Sequence, residues 1–542
     1  MRVLKNVWSV MAVLLVAFFL AAPVATPLAA TESTVASSPK MASSVFYEPP
    51  PEVMPIIYLS GTEYEMGYQY GQQAGAYIEI VKDGLWASLL ARYDKTEILD
   101  KLTGYEAYVK GLSGINYLEI LKGIADGARD AGYDVTYEDV LAINYQVELE
   151  WLPHPKSSCT NLAVWGGATA DGKAIAGSHF DFPWSNAYTY RVIIVAYPAK
   201  GNAFISTAIA GMLGNNFLMN DKGLVYMSNK SANARTEDID YGVSDFILGP
   251  YVAMTCSSAE EAKDTILSIK GTNGINRLLV DKNGGAYAVE ATAALAKARA
   301  PGDFGEKDYL ITANHFVNPE MKEAQKPWEA IEYYPASWYR YQTAAKYIED
   351  NYGNIDVDTI MSILTSSKYW DGTQWHYNAW WTGNTINRFG VWGGTVASQI
   401  AVPGEGTAYI CTGNPGTPYW SVGAPGQTGQ YVKLQLKDSP GATANTVKKA
   451  AFSEFLSLAK LLTSLNLEKR LSVASIFAID EQLDLIREQY WRGVRYLVKA
   501  SLTEDENSAL KLYGEASTEF GKVQAGAKRL SDLLSRYRSP LR

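Results

Sequence analysis

One cysteine of the chain stands where a strand begins, which limits how its thiol could become reactive. Cys159 lies in SSCTNLAVWGGATADGKAIAGSHFDFPW, directly before a segment that predicts a strand, a turn at Asp171-Gly172 and a second strand ending at Asp181. A thiol usually becomes a thiolate beside a histidine or at a helix N-terminus, and no helix signal follows Cys159. Cleavage between Ser158 and Cys159 would expose an α-amine, with a reference pKa of about 7.7, that could act as the base. The residues therefore indicate a cysteine that becomes a chain terminus.

Two other interpretations of the same residues stay open. In the first, Cys159 is activated by His315 in an ordinary cysteine and histidine pair, and the chain remains intact. That arrangement would place the nucleophile at the start of a helix. In the second, the aromatic segment WDGTQWHYNAWWTGNTINRFGVWGGT, which predicts irregular loops beside strands, grips a glycan or cell-wall polymer in a binding protein, and Cys159 is dispensable.

Composition limits the class of protein and its partners. The 542 residues are 47% hydrophobic and 19% charged, which is enough to bury a large core. A net charge of -9, with no cluster of Lys and Arg, argues against a nucleic-acid partner. Three cysteines cannot supply a disulfide framework, since at most one pair can form. No motif for a metal site occurs.

The first residues of the chain predict an export signal. Arg2 and Lys5 precede an apolar run from residue 7 to residue 22, and Ala29 and Ala30 follow. We expect a removable signal over residues 1–30, with an uncleaved membrane anchor as the alternative, and a Ser, Ala and Pro-rich linker over 31–55. Both alternatives place the folded part outside the cytoplasm, either secreted or anchored by its N-terminus.

The remaining chain divides into three sections that differ in their pattern of apolar and polar residues. Residues 56–158 have a helical pattern that is clearest from 64 to 130. Residues 159–438 form a core whose short apolar runs and turn pairs, such as Lys222-Gly223 and Asn283-Gly284, predict strands and hairpins. Residues 439–542 have amphipathic helical repeats. This order favours an α+β layered sandwich with helices outside and a further helical region at the C-terminus.

Several short motifs, taken in order, resemble the N-terminal-nucleophile (Ntn) hydrolases. The closest likeness is to the acyl-coenzyme A:6-aminopenicillanic-acid acyltransferase family, with choloylglycine hydrolases more distant. The resemblance covers roughly residues 55–425, and its motifs are GTEYEMGYQYGQQAG (61–75), the Cys159 hairpin, GNNFLMNDKGLVYMSN (214–229), YAVEAT, ITANHF, SWYRYQ (337–342) and TVASQIAVPGEGTAYICTGNPG.

This resemblance implies a fold and an activity. The fold is a four-layer αββα sandwich preceded by a helical propeptide, residues 56–158. Self-cleavage before the nucleophile would turn a zymogen into two fragments that stay associated. The activity is hydrolysis or acyl transfer at an amide or thioester bond of a small-molecule substrate, through an acyl-enzyme thioester and without a cofactor or metal.

The resemblance also assigns roles to five residues. Cys159 matches the nucleophile, Asp181 the acid that holds its amine, Asn229 the oxyanion donor, and Asn314 a later catalytic asparagine. Arg340 matches the arginine of the S-x-x-R motif. In choloylglycine hydrolases, however, that arginine falls nearer to Trp338, and Ser178 and His179 replace the arginine expected before the first Asp, so a bile-salt substrate is unsupported.

Three of these residues have simpler alternatives. Asn229 lies in the sequon Asn229-Lys230-Ser231 and could be a surface glycosylation acceptor. Asp181 could be a turn residue at a strand end, and Asn314 could cap the following segment. His179 and His315 could line the site or be hydrogen-bonded core imidazoles.

Overall fold

The structure is a computed structural model that describes residues 55–150, 159–183, 190–231, 239–325, 334–377, 379, 382–390, 393–415, 431–436, 440–464 and 473–535. The predicted signal at 1–30, almost all of the linker, and Ser158 at the expected cleavage point lie outside these residues.

Most strands lie in two sheets. The first has eight strands, in spatial order β1 (Ile56–Gly61), β4 (Arg191–Pro198), β5 (Phe204–Ile209), β6 (Phe217–Asn220), β7 (Leu224–Lys230), β8 (Ile275–Asp281), β9 (Ala286–Ala291) and β10 (Ala296–Arg299). The second has the order β11 (Tyr309–Thr312), β2 (Thr160–Val164), β3 (Ile175–Pro183), β15 (Gly393–Val402), β16 (Thr407–Thr412) and β17 (Tyr431–Gln435), with β14 (Phe389–Gly390) on β15. Strands β12 (Tyr369–Trp370) and β13 (Trp375–His376) form a separate hairpin.

Helices cover the outer faces of both sheets. The described helices are α1 (Glu63–Leu90), α2 (Lys95–Val109), α3 (Tyr117–Asp130), α4 (Tyr137–Asn144), α5 (Gln146–Glu150), α6 (Asp245–Thr255), α7 (Ala259–Ser268), α8 (Pro319–Lys322), α9 (Tyr334–Asp350), α10 (Val357–Leu364), α11 (Pro440–Ser464), α12 (Val473–Ser501) and α13 (Glu506–Ser535). Helices α1, α6 and α7 pack on the first sheet and α9 and α10 on the second, while β2, β3 and β11 face β7, β8 and β9. The layers run helix, sheet, sheet, helix, which confirms the predicted α+β sandwich.

The section before Cys159 begins with a strand that the helical pattern did not predict. Strand β1 pairs in parallel with β4 and is fully integrated in the first sheet. Helix α1 then begins in a capping box made by Thr62 and Glu65. The glycines of the first motif let α1 and α3 approach closely, because a Cβ on Gly67 or Gly71 would lie 2.1 Å from a main-chain oxygen of α3.

Residues 159–301 contain the expected strands and two helices that were not expected. The turn glycines Gly172, Gly223 and Gly284 all have positive φ, as the turn pairs predicted. Helices α6 and α7 interrupt the strands. Helix α6 is buried along nearly its whole length, so it lacks the polar face that would have distinguished it from a buried strand.

The C-terminal section is helical, as predicted. Helix α13 lies against β1, and the main-chain oxygen of Ile56 is only 2.5 Å from where a Cβ on Gly514 would stand. Ala516, Phe520 and Val523 of α13 belong to the same buried cluster as the first sheet. Within the described residues, no helix is both long enough and apolar enough to cross a membrane.

Candidate active site

The β2–β3 hairpin brings Cys159 and Asp181 together in the interior. Cys159 directly precedes β2 and is 3% exposed, and its Sγ lies 3.8 Å from the main-chain oxygen of Asp181. Because Thr160 pairs with His179 across the hairpin, the same register places Cys159 opposite Phe180. Phe180 is buried as well. The thiol therefore lies in the interior of the protein, at the end of a strand.

Burial favours the protonated form of this thiol. Burial and the nearby Asp181 carboxylate raise the pKa of Cys159 to about 12. Burial also raises the pKa of Cys256 and of Cys411, and none of the three cysteines forms a disulfide. Cys159 therefore needs a proton acceptor before it can act as a nucleophile.

Asp181 is held by one oxygen and has the other without a partner. Its Oδ1 accepts a hydrogen bond of 2.7 Å from the hydroxyl of Thr395, next to an irregularity in the pairing of β3 with β15. Its Oδ2 is buried and has no hydrogen-bond partner. Burial raises the pKa of Asp181 to about 6, while Thr395 and Arg340 oppose the rise. Asp181 is thus a buried residue within β3, and the alternative of a turn residue at the strand end is wrong.

Arg340 on α9 connects three parts of the site. Its Nη1 donates to the main-chain oxygen of Cys159 at 2.8 Å and to the hydroxyl of Thr160 at 3.1 Å. Its Nη2 donates to Oδ1 of Asn314 at 2.9 Å. The guanidinium is fully buried, and burial lowers its pKa to about 10. Arg340 therefore fixes the main chain at Cys159 and joins it to Asn314.

Asn229 lies beside the hairpin in a polar network rather than at the surface. It is 3% exposed, and its Oδ1 accepts hydrogen bonds from Asn161 at 2.8 Å and from Thr312 at 2.7 Å. Its Nδ2 donates to the main-chain oxygen of Ala313. In the folded protein Asn229 is therefore not the surface glycosylation acceptor of the alternative interpretation. Its amide has a second N–H that this bond does not use.

Asn314 is a connecting residue. Its Nδ2 donates to the main-chain oxygen of Lys230 at 2.7 Å, and its main-chain N–H donates to Ser337 at 2.8 Å. Together with the bond from Arg340, these contacts tie the end of β7 to α9. Among the described helices, the next one along the chain is α8, and its cap is Asn318 rather than Asn314.

The two nearby histidines are neutral core imidazoles. Nδ1 of His179 is 2.9 Å from the main-chain oxygen of Ile386, and burial lowers the pKa of this residue to about 4. Nδ1 of His315 is 2.7 Å from the hydroxyl of Ser337, and burial lowers its pKa to about 3. Among the contacts of the described residues, none joins either ring to the thiol of Cys159. The geometry thus gives the cysteine and histidine pair no support.

Sequence reasoning missed three groups of this site. Asn161, two residues after Cys159, lies on the same strand face and could have been found from the period of two. Thr395 and Arg191 reach the hairpin from other strands, and nothing in the sequence predicted their register. Arg191, at the start of β4, stacks over Phe180 with its guanidinium carbon 4.5 Å from the ring centroid.

Comparison with known proteins gives the following matches. The sequence model of the acyl-coenzyme A:6-aminopenicillanic acid acyl-transferase family matches residues 169–417. A protein from Archaeoglobus fulgidus described as uncharacterized is 28% identical over 347 residues, which is 56% of this chain. The aligned part is also only 56% of that relative's length. The family match includes Asp181, Asn229, Asn314 and Arg340 and begins ten residues after Cys159.

Three solved structures overlap the chain in part. A mutant of conjugated bile acid hydrolase from Clostridium perfringens is 14% identical with a TM-score of 0.33, over 47% of this chain and 89% of its own. The Caenorhabditis elegans ortholog of N-acylethanolamine-hydrolyzing acid amidase is 14% identical with a TM-score of 0.30, over 45% and 93%. Penicillin V acylase from Agrobacterium tumefaciens is 11% identical with a TM-score of 0.30, over 47% and 83%. Scores this low carry no argument about the site.

The family match and the layered architecture agree with the order of motifs in the sequence. Residues 169–417 of this chain therefore carry the sequence pattern of the acyl-coenzyme A:6-aminopenicillanic acid acyltransferase family, as its motifs predicted.

Proposed function

We propose that the protein is an exported enzyme that cuts itself before Cys159 and then uses the N-terminal cysteine to hydrolyse or transfer an acyl group. The observation that carries this proposal is the partnerless Oδ2 of Asp181, buried beside a cysteine whose thiol contacts none of the described imidazoles. A buried carboxylate oxygen without a donor is costly. An ammonium group at the terminus of a cut chain would supply the missing donor.

Self-cleavage needs no further reactant than water. The thiol of Cys159 attacks the carbonyl carbon of the preceding peptide bond, and its proton passes to the departing nitrogen, whose developing positive charge the Asp181 carboxylate stabilises. The C–N bond breaks, a C–S bond forms, and residue 158 is held as a thioester. Water then hydrolyses the thioester, which leaves a carboxylic acid on Ser158 and the free thiol and α-amine on Cys159.

In the cut protein the α-amine of Cys159 replaces the missing base. As the neutral amine it takes the thiol proton, and the resulting ammonium is held by Asp181. The thiolate attacks the substrate carbonyl, and the ammonium returns its proton to the leaving group. Arg340 holds the main-chain oxygen of Cys159 throughout, so the attacking sulfur keeps its position.

The developing oxyanion needs donors that are in place before the reaction. Asn229 is the candidate, since its carbonyl oxygen is fixed by two donors and one N–H of its amide is engaged with Ala313. The other N–H would face the oxyanion. One such donor stabilises a tetrahedral intermediate by about 3 to 4 kcal/mol.

The substrate class follows from the chemistry and from the family match. The matched family is named for a reaction between a coenzyme A thioester and an amine, so the same thiol can serve amides and thioesters. The acceptor is water in hydrolysis and an amine in transfer. Export rests on the basic residues and apolar run at the N-terminus, and it places this activity outside the cytoplasm.

The test is a panel of chromogenic p-nitroanilides with short, long and aromatic acyl groups. Purified protein should release nitroaniline from at least one of them, and Cys159→Ala should not. Cys256→Ala is the matched control, because Cys256 is also a buried thiol but lies at the end of α6. Turnover that survives in Cys159→Ala would refute the proposed function.

A further inference from the structure

Arg191 is a fully buried arginine that lacks an ionic partner. It is 3% exposed, its Nε and Nη1 have no hydrogen-bond partner, and its Nη2 makes one long contact of 3.5 Å with Asn216. Two other buried arginines have carboxylate partners, since Arg277 binds Asp245 and Arg299 binds Glu290. Arg191 therefore differs from these two.

An unpaired guanidinium in the interior is unfavourable. Removing the charge from water costs several kcal/mol unless an anion compensates for it. Burial alone lowers the pKa of Arg191 to about 9, even though arginine is normally charged at any accessible pH. A folded protein that keeps such a group has a use for the positive charge.

Arg191 faces the nucleophile from the opposite sheet. Its guanidinium lies over the ring of Phe180, and Phe180 is the cross-strand neighbour of Cys159. The guanidinium therefore approaches the hairpin beside the residue that pairs with Cys159.

The unused donors suit a carboxylate better than the sulfur. N–H groups remain on two different nitrogens of Arg191. A sulfur atom is a weak acceptor, whereas a carboxylate offers two strong acceptor oxygens and forms charge-assisted hydrogen bonds with guanidinium. An anionic group on the substrate would therefore neutralise Arg191 more completely than the thiolate could.

We infer that Arg191 binds a carboxylate of the substrate next to the scissile bond, so that the preferred substrates are amides of amino acids or of dicarboxylic acids. This inference rests on the proposed function, because it assumes that Cys159 is the reacting thiol. It goes further by assigning a specificity-determining residue and a negative charge to the substrate.

The experiment compares two alkylating reagents that differ only in charge. Iodoacetate and iodoacetamide attack the same sulfur, but only iodoacetate carries a carboxylate that Arg191 could bind. Their rates of reaction with Cys159 are measured by peptide mass spectrometry for the unaltered protein, Arg191→Gln, Arg191→Lys and Arg487→Gln. Arg487 is exposed on α12, so its replacement removes the same charge far from the hairpin.

We expect Arg191→Gln to lower the ratio of the iodoacetate rate to the iodoacetamide rate by about tenfold, the effect of losing one charge-assisted hydrogen bond. Arg191→Lys should restore part of the ratio, and Arg487→Gln should leave it unchanged. If both rates fall equally, Arg191 acts on the thiolate and the inference is wrong while the proposed function stands. If Cys159 of the unaltered protein is inert to both reagents, the proposed function itself fails.

A second experiment determines whether the substrate carboxylate lies on the amine or on the acyl group. An N-acylglycine, the matching N-acylglycinamide and a glutaryl anilide are compared as substrates of the unaltered protein and Arg191→Lys. A raised KM for only the N-acylglycine places the carboxylate on the amine, and a raised KM for only the glutaryl compound places it on the acyl group. If Arg191→Lys changes KM equally for the charged substrates and for the neutral N-acylglycinamide, the inference is wrong.

Discussion

The hydroxyl of Thr395 donates a hydrogen bond of 2.7 Å to Oδ1 of Asp181, and Oδ2 of the same carboxylate has no partner. The carboxylate is thus oriented through Oδ1 by β15, and its buried Oδ2 makes no hydrogen bond. Because a donor favours the charged form, Thr395 holds the pKa of Asp181 lower than burial alone would.

Replacing Thr395 by Val should raise the pH below which self-cleavage becomes slow. Without the hydroxyl the pKa of Asp181 rises above about 6, so a higher pH is needed for the carboxylate. We expect the midpoint of the rate against pH to rise by about one pH unit. The rate of appearance of the second fragment is measured on freshly refolded protein. Thr407→Val, which alters a buried strand threonine of β16, should leave the midpoint unchanged.

Asp181→Asn should separate activity from stability. The variant loses the carboxylate that stabilises the positive charge on the departing nitrogen, so self-cleavage should slow by about 100-fold or more. The effect on stability is measured with Cys159→Ala present, so that the protein with Asp181 and the protein with Asp181→Asn both stay uncut. In this background Asp181→Asn should not destabilise the fold at neutral pH. The pKa of Asp181 is raised from 3.8 to about 6, so its ionisation costs stability as pH rises through that range. Because Asn does not ionise, the substitution should raise the free energy of unfolding near neutral pH by up to about 3 kcal/mol.

The two uncut chains are compared by urea unfolding at about pH 4 and about pH 7.5. The free energy of unfolding of the Asp181→Asn chain should exceed that of the chain with Asp181 by a small amount at about pH 4 and by a larger amount at about pH 7.5. His179 and His315 titrate in both chains, and their contribution cancels in the difference. An advantage that is the same at both pH values would contradict the raised pKa.

Asn229 and Asn276 provide a matched pair for the oxyanion role. They are partners across β7 and β8, and each donates to the main-chain oxygen of Ala313. Asn229→Ala should lower kcat by about 100-fold with little change in KM. Asn276→Ala removes the same kind of bond and should affect stability more than kcat. Equal effects on kcat would mean that Asn229 is structural.

His315→Ala should leave the reactivity of Cys159 in place. Nδ1 of His315 is engaged with Ser337, and the proton acceptor belongs to residue 159 itself in the cut protein. Iodoacetamide should label Cys159 far faster than Cys256 or Cys411 and abolish activity at one equivalent, in this variant as in the unaltered protein. Loss of the fast labelling in His315→Ala would identify the imidazole as the base. Equal, slow labelling of all three thiols would favour a binding protein.

The hairpin that carries Cys159 and Asp181 could be predicted because its strands are bounded by a Gly turn and lie next to each other in the chain. Its partners could not. Arg191 and Thr395 reach the hairpin from strands whose register depends on tertiary packing rather than on local pattern. Helix α6 was hidden because burial on all sides removes the helical period. Strand β1 was missed because it is a single short edge strand ahead of a long helix.

Cleavage before Cys159 is tested by the N-terminal sequence and mass of each polypeptide in the purified protein under denaturing conditions. Two polypeptides are expected, the second beginning Cys159-Thr160-Asn161, and Cys159→Ala should give a single uncut chain. A fully active protein that remains one chain through Ser158 and Cys159 would contradict this expectation.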